Sequence, residues 1–67
     1  MTNRTETFRK IKALDGMTVS KTEYDEYRIN YRSGREATAY YTNDLDDAYF
    51  TAVAMWAARE QRNGRTH

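Results

Sequence analysis

Asp44, Asp46 and Asp47 place three carboxylates within four consecutive positions. Paired carboxylates can shuttle protons or hold a divalent cation. Adjacent helix positions project in different directions, however. Acidic residues at a helix start already have a structural reason in the helix dipole, and that role is expected here. A second set is Arg28, Arg32 and Arg35 with Tyr40. Arginines and an aromatic on one sheet face can enter a DNA groove or stack on bases. Glu26 and Glu36 fall on the same stretch and oppose phosphate binding. A mixed-sign face suits a solvated sheet, or a protein interface with paired charges. The six tyrosines form a third set. Tyr27, Tyr31, Tyr41 and Tyr49 are expected to pack, and Tyr24 and Tyr40 to stay available to a partner, as Tyr is enriched at binding hot spots. Last come the basic ends, Arg4, Arg9, Lys10 and Lys12 at one terminus and Arg59, Arg62 and Arg65 at the other. They merge into one patch if two helices lie side by side; otherwise solvation and the dipole explain them.

The absent residues exclude whole classes of chemistry. There is no cysteine, hence no disulfide, thiolate nucleophile or zinc cluster. The only histidine is His67, the last residue, with nothing rigid to build a metal site or catalytic pair upon. No catalytic residue, metal ligand or cofactor is therefore expected. No apolar run approaches the roughly 20 residues that span a bilayer, and Met1–Lys12 lacks the apolar stretch of a signal peptide. The expectation is a soluble, cytoplasmic chain with no membrane partner. All 67 residues form one domain, frayed at 1–3 and 63–67. Leu, Ile, Val and Phe number only two each, so tyrosine, alanine and Trp56 must supply much of the core.

Asn3 followed by Glu6 has the form of a helix cap, and Phe8, Ile11 and Leu14 recur at helical spacing. A helix over 4–14 is predicted; alternation of Phe8, Lys10, Lys12 and Leu14 offers a strand as the competing reading. A β-branched strand over 17–22, a turn at 23–25, and a strand over 26–32 with Tyr27, Ile29 and Tyr31 on one face follow. Gly34 marks the next turn and 36–42 the return strand. A three-residue loop, Arg32-Ser33-Gly34, would put Arg35, Ala37, Ala39 and Tyr41 on the apolar face, with Gly34 left-handed. The wet face then carries Glu26, Arg28, Asn30 and Arg32 against Glu36, Thr38 and Tyr40. A helix from Asn43 or Asp44 to about Arg62 closes the chain. The fold class is α+β: a three-stranded antiparallel sheet, a long C-terminal helix on one face and a short N-terminal helix, in the order α-β-β-β-α.

Leu45, Ala48, Tyr49, Ala52, Val53 and Trp56 form the stripe of that last helix that should face the sheet. Phe50, Ala54, Ala57 and Ala58 lie on its back. A helix apolar nearly all round is expected to be covered twice, here by the N-terminal helix through Phe8 and Ile11 or by a second copy in a homodimer, with harmless exposure of a surface that is mostly alanine as the remaining reading.

Two resemblances follow from these residues. Tyr27-Arg28-Ile29-Asn30-Tyr31, then Gly34, then Tyr41-Thr42-Asn43-Asp44 and Asp47-Ala48, resembles the arm-site DNA-binding domain of phage tyrosine integrases over about half the chain. That resemblance implies a sheet in the major groove with Arg28, Arg32 and Arg35 at the DNA; Glu26 and Glu36 depart from the pattern. Glu36-Ala37-Thr38-Ala39-Tyr40-Tyr41-Thr42 before an acidic helix start is similar to segments of small phage and prophage accessory proteins, anti-CRISPR proteins among them. This second resemblance implies a chain that binds and blocks a host protein. The expected function is thus non-catalytic binding of a protein partner through Arg28, Arg32, Glu36, Tyr40 or Phe50, with a DNA-binding module as the alternative.

Overall fold

The computed structural model describes residues 3–64, with side chains described as far as Gln61. Helix α1 (Arg4–Lys12) opens on Asn3, whose side chain accepts a hydrogen bond from the Glu6 N–H at 2.8 Å. Such a cap contributes about 1 kcal/mol. The helix wins over the alternating-strand reading because Ile11 and Thr7, one turn apart, are the residues it buries. Residues 1, 2 and 65–67, where fraying was expected, lie outside the described residues.

Strands β1 (Met17–Lys21), β2 (Tyr27–Tyr31) and β3 (Tyr40–Thr42) form an antiparallel sheet in the order β1-β2-β3. β1 pairs with β2 so that Met17 faces Tyr31 and Val19 faces Ile29, which puts their side chains on one face. Asp25 turns the first hairpin in the left-handed region, at φ 62°, a conformation short polar side chains tolerate. Helix α2 (Leu45–Gly64) starts at Asp44, whose carboxylate accepts from the N–H groups of Asp46 and Asp47 at 2.8 and 3.2 Å. Both helices pack on the Ile29 face of the sheet and against each other. The other face of the sheet carries no helix.

The core consists of Ile11, Met17, Val19, Ile29, Ala48 and Ala52, ringed by Phe8, Leu14, Tyr27, Tyr31, Tyr49, Met55 and Trp56. Ala48 and Ala52 are fully buried, so α2 meets the sheet through methyl groups and close approach replaces side-chain bulk. Phe8 meets Tyr27 edge-on at 5.7 Å, and the Tyr31 hydroxyl donates to the Met55 carbonyl at 2.9 Å. The tyrosines of β2 thus pin a helix at each end of the strand.

The second hairpin differs from expectation. Glu36–Thr38 form a single 3-10 turn, and β3 spans only Tyr40–Thr42. Ile29 faces Tyr40 and Arg28 faces Tyr41. The loop is eight residues, Arg32–Ala39, and the register reverses the parity of β3: Tyr40 turns toward α2, and Tyr41 toward the open face. Arg35 and Ala37 accordingly lie in the loop and pair with nothing on the apolar face. Gly34 is not left-handed, positive φ among the described glycines being confined to Gly16 at 84°. Gly34 is required for space instead, since a Cβ there would strike Asn30 Oδ1 and come within 2.7 Å of Thr38 Oγ1.

Candidate functional site

The residue that organises the open face is Asn30. Alternation puts it on the wet side, yet it is 1% exposed. Tyr31 at the end of β2 has no opposite residue in β3, which begins only at Tyr40. The Asn30 side chain takes the place of the missing strand: Oδ1 accepts the Tyr31 N–H at 2.8 Å, and Nδ2 donates to the Arg35 carbonyl at 3.0 Å. Thr38 Oγ1 stands 2.7 Å from Asn30 Oδ1 and 2.8 Å from Arg35 O and shares its hydrogen between them. The loop is clasped shut over the sheet. Asparagine, a poor strand former, in the middle of an alternating strand was the sequence signal for this role.

The clasp places Glu36 over β2. Arg28 Nη2 lies 3.2 Å from Glu36 Oε1, and the Tyr41 hydroxyl donates to the other carboxylate oxygen. These bonds, Tyr41 first and Arg28 second, hold the Glu36 carboxyl below its ordinary range. Arg28, Glu36 and Tyr41 therefore form one mixed-charge cluster on the open sheet face. Tyr40, expected among them, is on the opposite side. Its hydroxyl donates to Asp47 Oδ2 at 2.7 Å, which pushes the phenol's pKa up by stabilising the protonated form. Arg32 and Arg35 are exposed in the loop. The four residues expected on one sheet face thus divide among that face (Arg28 and Glu36), the loop (Arg32) and the β3–α2 edge (Tyr40), while Phe50, the alternative, is on the back of α2.

Phe50 is 70% exposed on the back of α2, with Ala54, Ala57 and Ala58 also exposed. Helix α1 does not cover this surface: Phe8 and Ile11 face the core. Tyr24 is exposed at the first hairpin, as expected. Tyr41, expected to pack, is also exposed, because the parity of β3 is reversed.

Asp44 caps α2, and Asp47 accepts from Tyr40. Among the described residues no cluster of His, Asp or Glu side chains is arranged to hold a metal ion, and no helix is long and apolar enough to cross a membrane. The two helices do lie side by side, as the merging of the basic ends requires. Lys10 caps the Tyr49 ring, Lys12 lies over Phe8, and the Arg59 guanidinium over Tyr31. The Arg62 side chain and Arg65 lie outside the described residues. No family model matches this chain, and no curated protein or solved structure is significantly similar to it.

Proposed function

We propose that this chain is a small non-catalytic binding protein of the phage or prophage accessory kind, which modulates or inhibits a host protein by occupying one of its surfaces. The observation that carries the reading is Phe50. A phenylalanine left 70% exposed among three exposed alanines gives an uncharged helix back with one large anchor, and buried aromatic anchors supply most of the energy at protein interfaces. Tyr40 sits at the margin of this surface, held by Asp47 one helical turn before Phe50, and its fixed hydroxyl adds polar contact at low entropic cost. The alternative of a DNA-binding sheet face built on Arg28, Arg32 and Arg35 is less well supported, since Arg32 and Arg35 lie in the loop and not on that face. Arg28 is paired with Glu36, so little of its charge is left to displace counterions from phosphate.

The test is affinity capture from host lysate with the native chain, Phe50→Ala and Tyr40→Ala, alongside thermal melts. The expected outcome is one protein captured by the native chain and lost with Phe50→Ala, while the melting temperature stays within about 2 °C, as exposed substitutions cost at most about 0.5 kcal/mol. Capture unchanged by both substitutions would overturn the placement. Light scattering that gave twice the 7.9 kDa chain mass would assign Phe50 to a homodimer instead.

A further inference from the structure

The net charge of +1 conceals a strong separation of charge along the molecule. Grooves on either side of Tyr27 are lined by the start of α1 and the start of α2, so both helix N-termini lie at this end of β2. With them come Glu6, the Asp44–Asp47 helix start, and Glu23, Asp25 and Glu26 of the first hairpin. The basic side chains there are Arg4, Arg9 and Lys21, and Lys21 is already paired with Asp25 at 2.9 Å. The opposite end of β2 is basic. The Arg32 N–H donates to Gly16 O at 2.7 Å, and the Arg59 guanidinium lies over the Tyr31 ring and against Gly16, where a Cβ would come within 2.6 Å of Nη1. Arg35 is held nearby through its carbonyl by Asn30. Asp15 and Glu60 stand at this end too, but among the described residues none of the three arginines is in an ion pair.

We propose that the end bearing Arg32, Arg35 and Arg59 binds the phosphate backbone of a DNA duplex. This goes beyond the protein-binding reading and uses a different surface from Phe50. Guanidinium groups match phosphate geometry better than ammonium groups. The Tyr31 ring and the Gly16 notch fix Arg59 before any ligand arrives. The acidic far end turns away from a polyanion, so the charge separation orients the approach. A second copy docked end to end is the competing occupant, since the two poles are complementary. A stable protein interface buries roughly 800 Å² per partner. Phosphate binding draws on counterion release and needs no such area.

The experiment is fluorescence anisotropy of a short labelled DNA duplex titrated with the full chain at 50 to 200 mM salt. Three phosphate contacts give a log–log slope of about −2.7, an affinity loss of about 40-fold over that range. Arg32→Gln with Arg35→Gln, both exposed, should reduce the slope to about −0.9 and the loss to about 3-fold. Arg28→Gln and Phe50→Ala should leave both values unchanged. Absence of binding at 50 mM, an unaltered slope in the double variant, or an equal loss with Arg28→Gln would each overturn the proposal. Equal competition by polyglutamate would replace DNA with an acidic polypeptide. A rise in sedimentation mass at low salt without DNA, abolished by the double variant, would replace it with a second copy.

Discussion

Asn30→Ala tests the clasp that shapes the open face. In the native chain the buried amide serves the Tyr31 N–H, the Arg35 carbonyl and the Thr38 hydroxyl. The Arg35 carbonyl keeps two other donors, the Thr38 N–H at 3.0 Å and its hydroxyl at 2.8 Å, so its loss is small. The Tyr31 N–H has no opposite strand residue to turn to. An orphaned backbone donor costs about 1–3 kcal/mol, and each lost neutral hydrogen bond about 1 kcal/mol. The substitution should therefore cost about 2–4 kcal/mol. A 67-residue domain commands only roughly 3–10 kcal/mol in total, so this is a large fraction. At about 4–8 °C per kcal/mol the melting temperature should fall by about 8–32 °C, measured by far-ultraviolet circular dichroism. Amide exchange of Tyr31 supplies a local readout: protected in the native chain, it should approach the rate of an open loop in the variant. Thr38→Val, which removes the hydroxyl but keeps the Tyr31 bond, should cost about 1 kcal/mol. A fall below about 4 °C for Asn30→Ala, with Tyr31 still protected, would refute the reasoning.

Gly34→Ala should destabilise the chain by about 1–3 kcal/mol in a denaturant melt, because the added methyl meets Asn30 and Thr38, both held in place by their own bonds. Tyr41→Phe should raise the Glu36 pKa toward its ordinary value, read from carboxyl chemical shifts during a pH titration. A depressed folded-state pKa contributes stability above the unfolded pKa that is lost as pH falls through the folded value, so the native chain should lose this contribution on acidification and the variant should lose less. Asp47→Asn should lower the Tyr40 pKa toward that of an ordinary tyrosine in an ultraviolet titration. Ala52→Leu should cost about 1–3 kcal/mol by overpacking, since a fully buried methyl at the helix–sheet contact leaves no room for a longer chain.

Much of this fold was legible in the order of residues. Asn3 with Glu6, and Asp44 with the residues after it, announce helix starts because a side-chain acceptor must meet unpaired N–H groups within one turn. Alternation of Tyr27, Ile29 and Tyr31 marks β2, and helical spacing from Leu45 to Trp56 marks the buried side of α2. These are local signals, read over a few residues. What the tertiary structure alone decided was the parity of β3. Both Tyr40 and Tyr41 can pack or remain wet, and composition does not choose between them. The choice falls to the eight-residue loop, whose length follows from Asn30 clasping Arg35 and Thr38. Through that loop, Tyr41 rather than Tyr40 joins Arg28 and Glu36. The charge separation is of the same kind. Acidic and basic residues come in short separate runs along the chain with almost no net charge, and the poles form because two helices and a hairpin bring distant runs to the same end of β2.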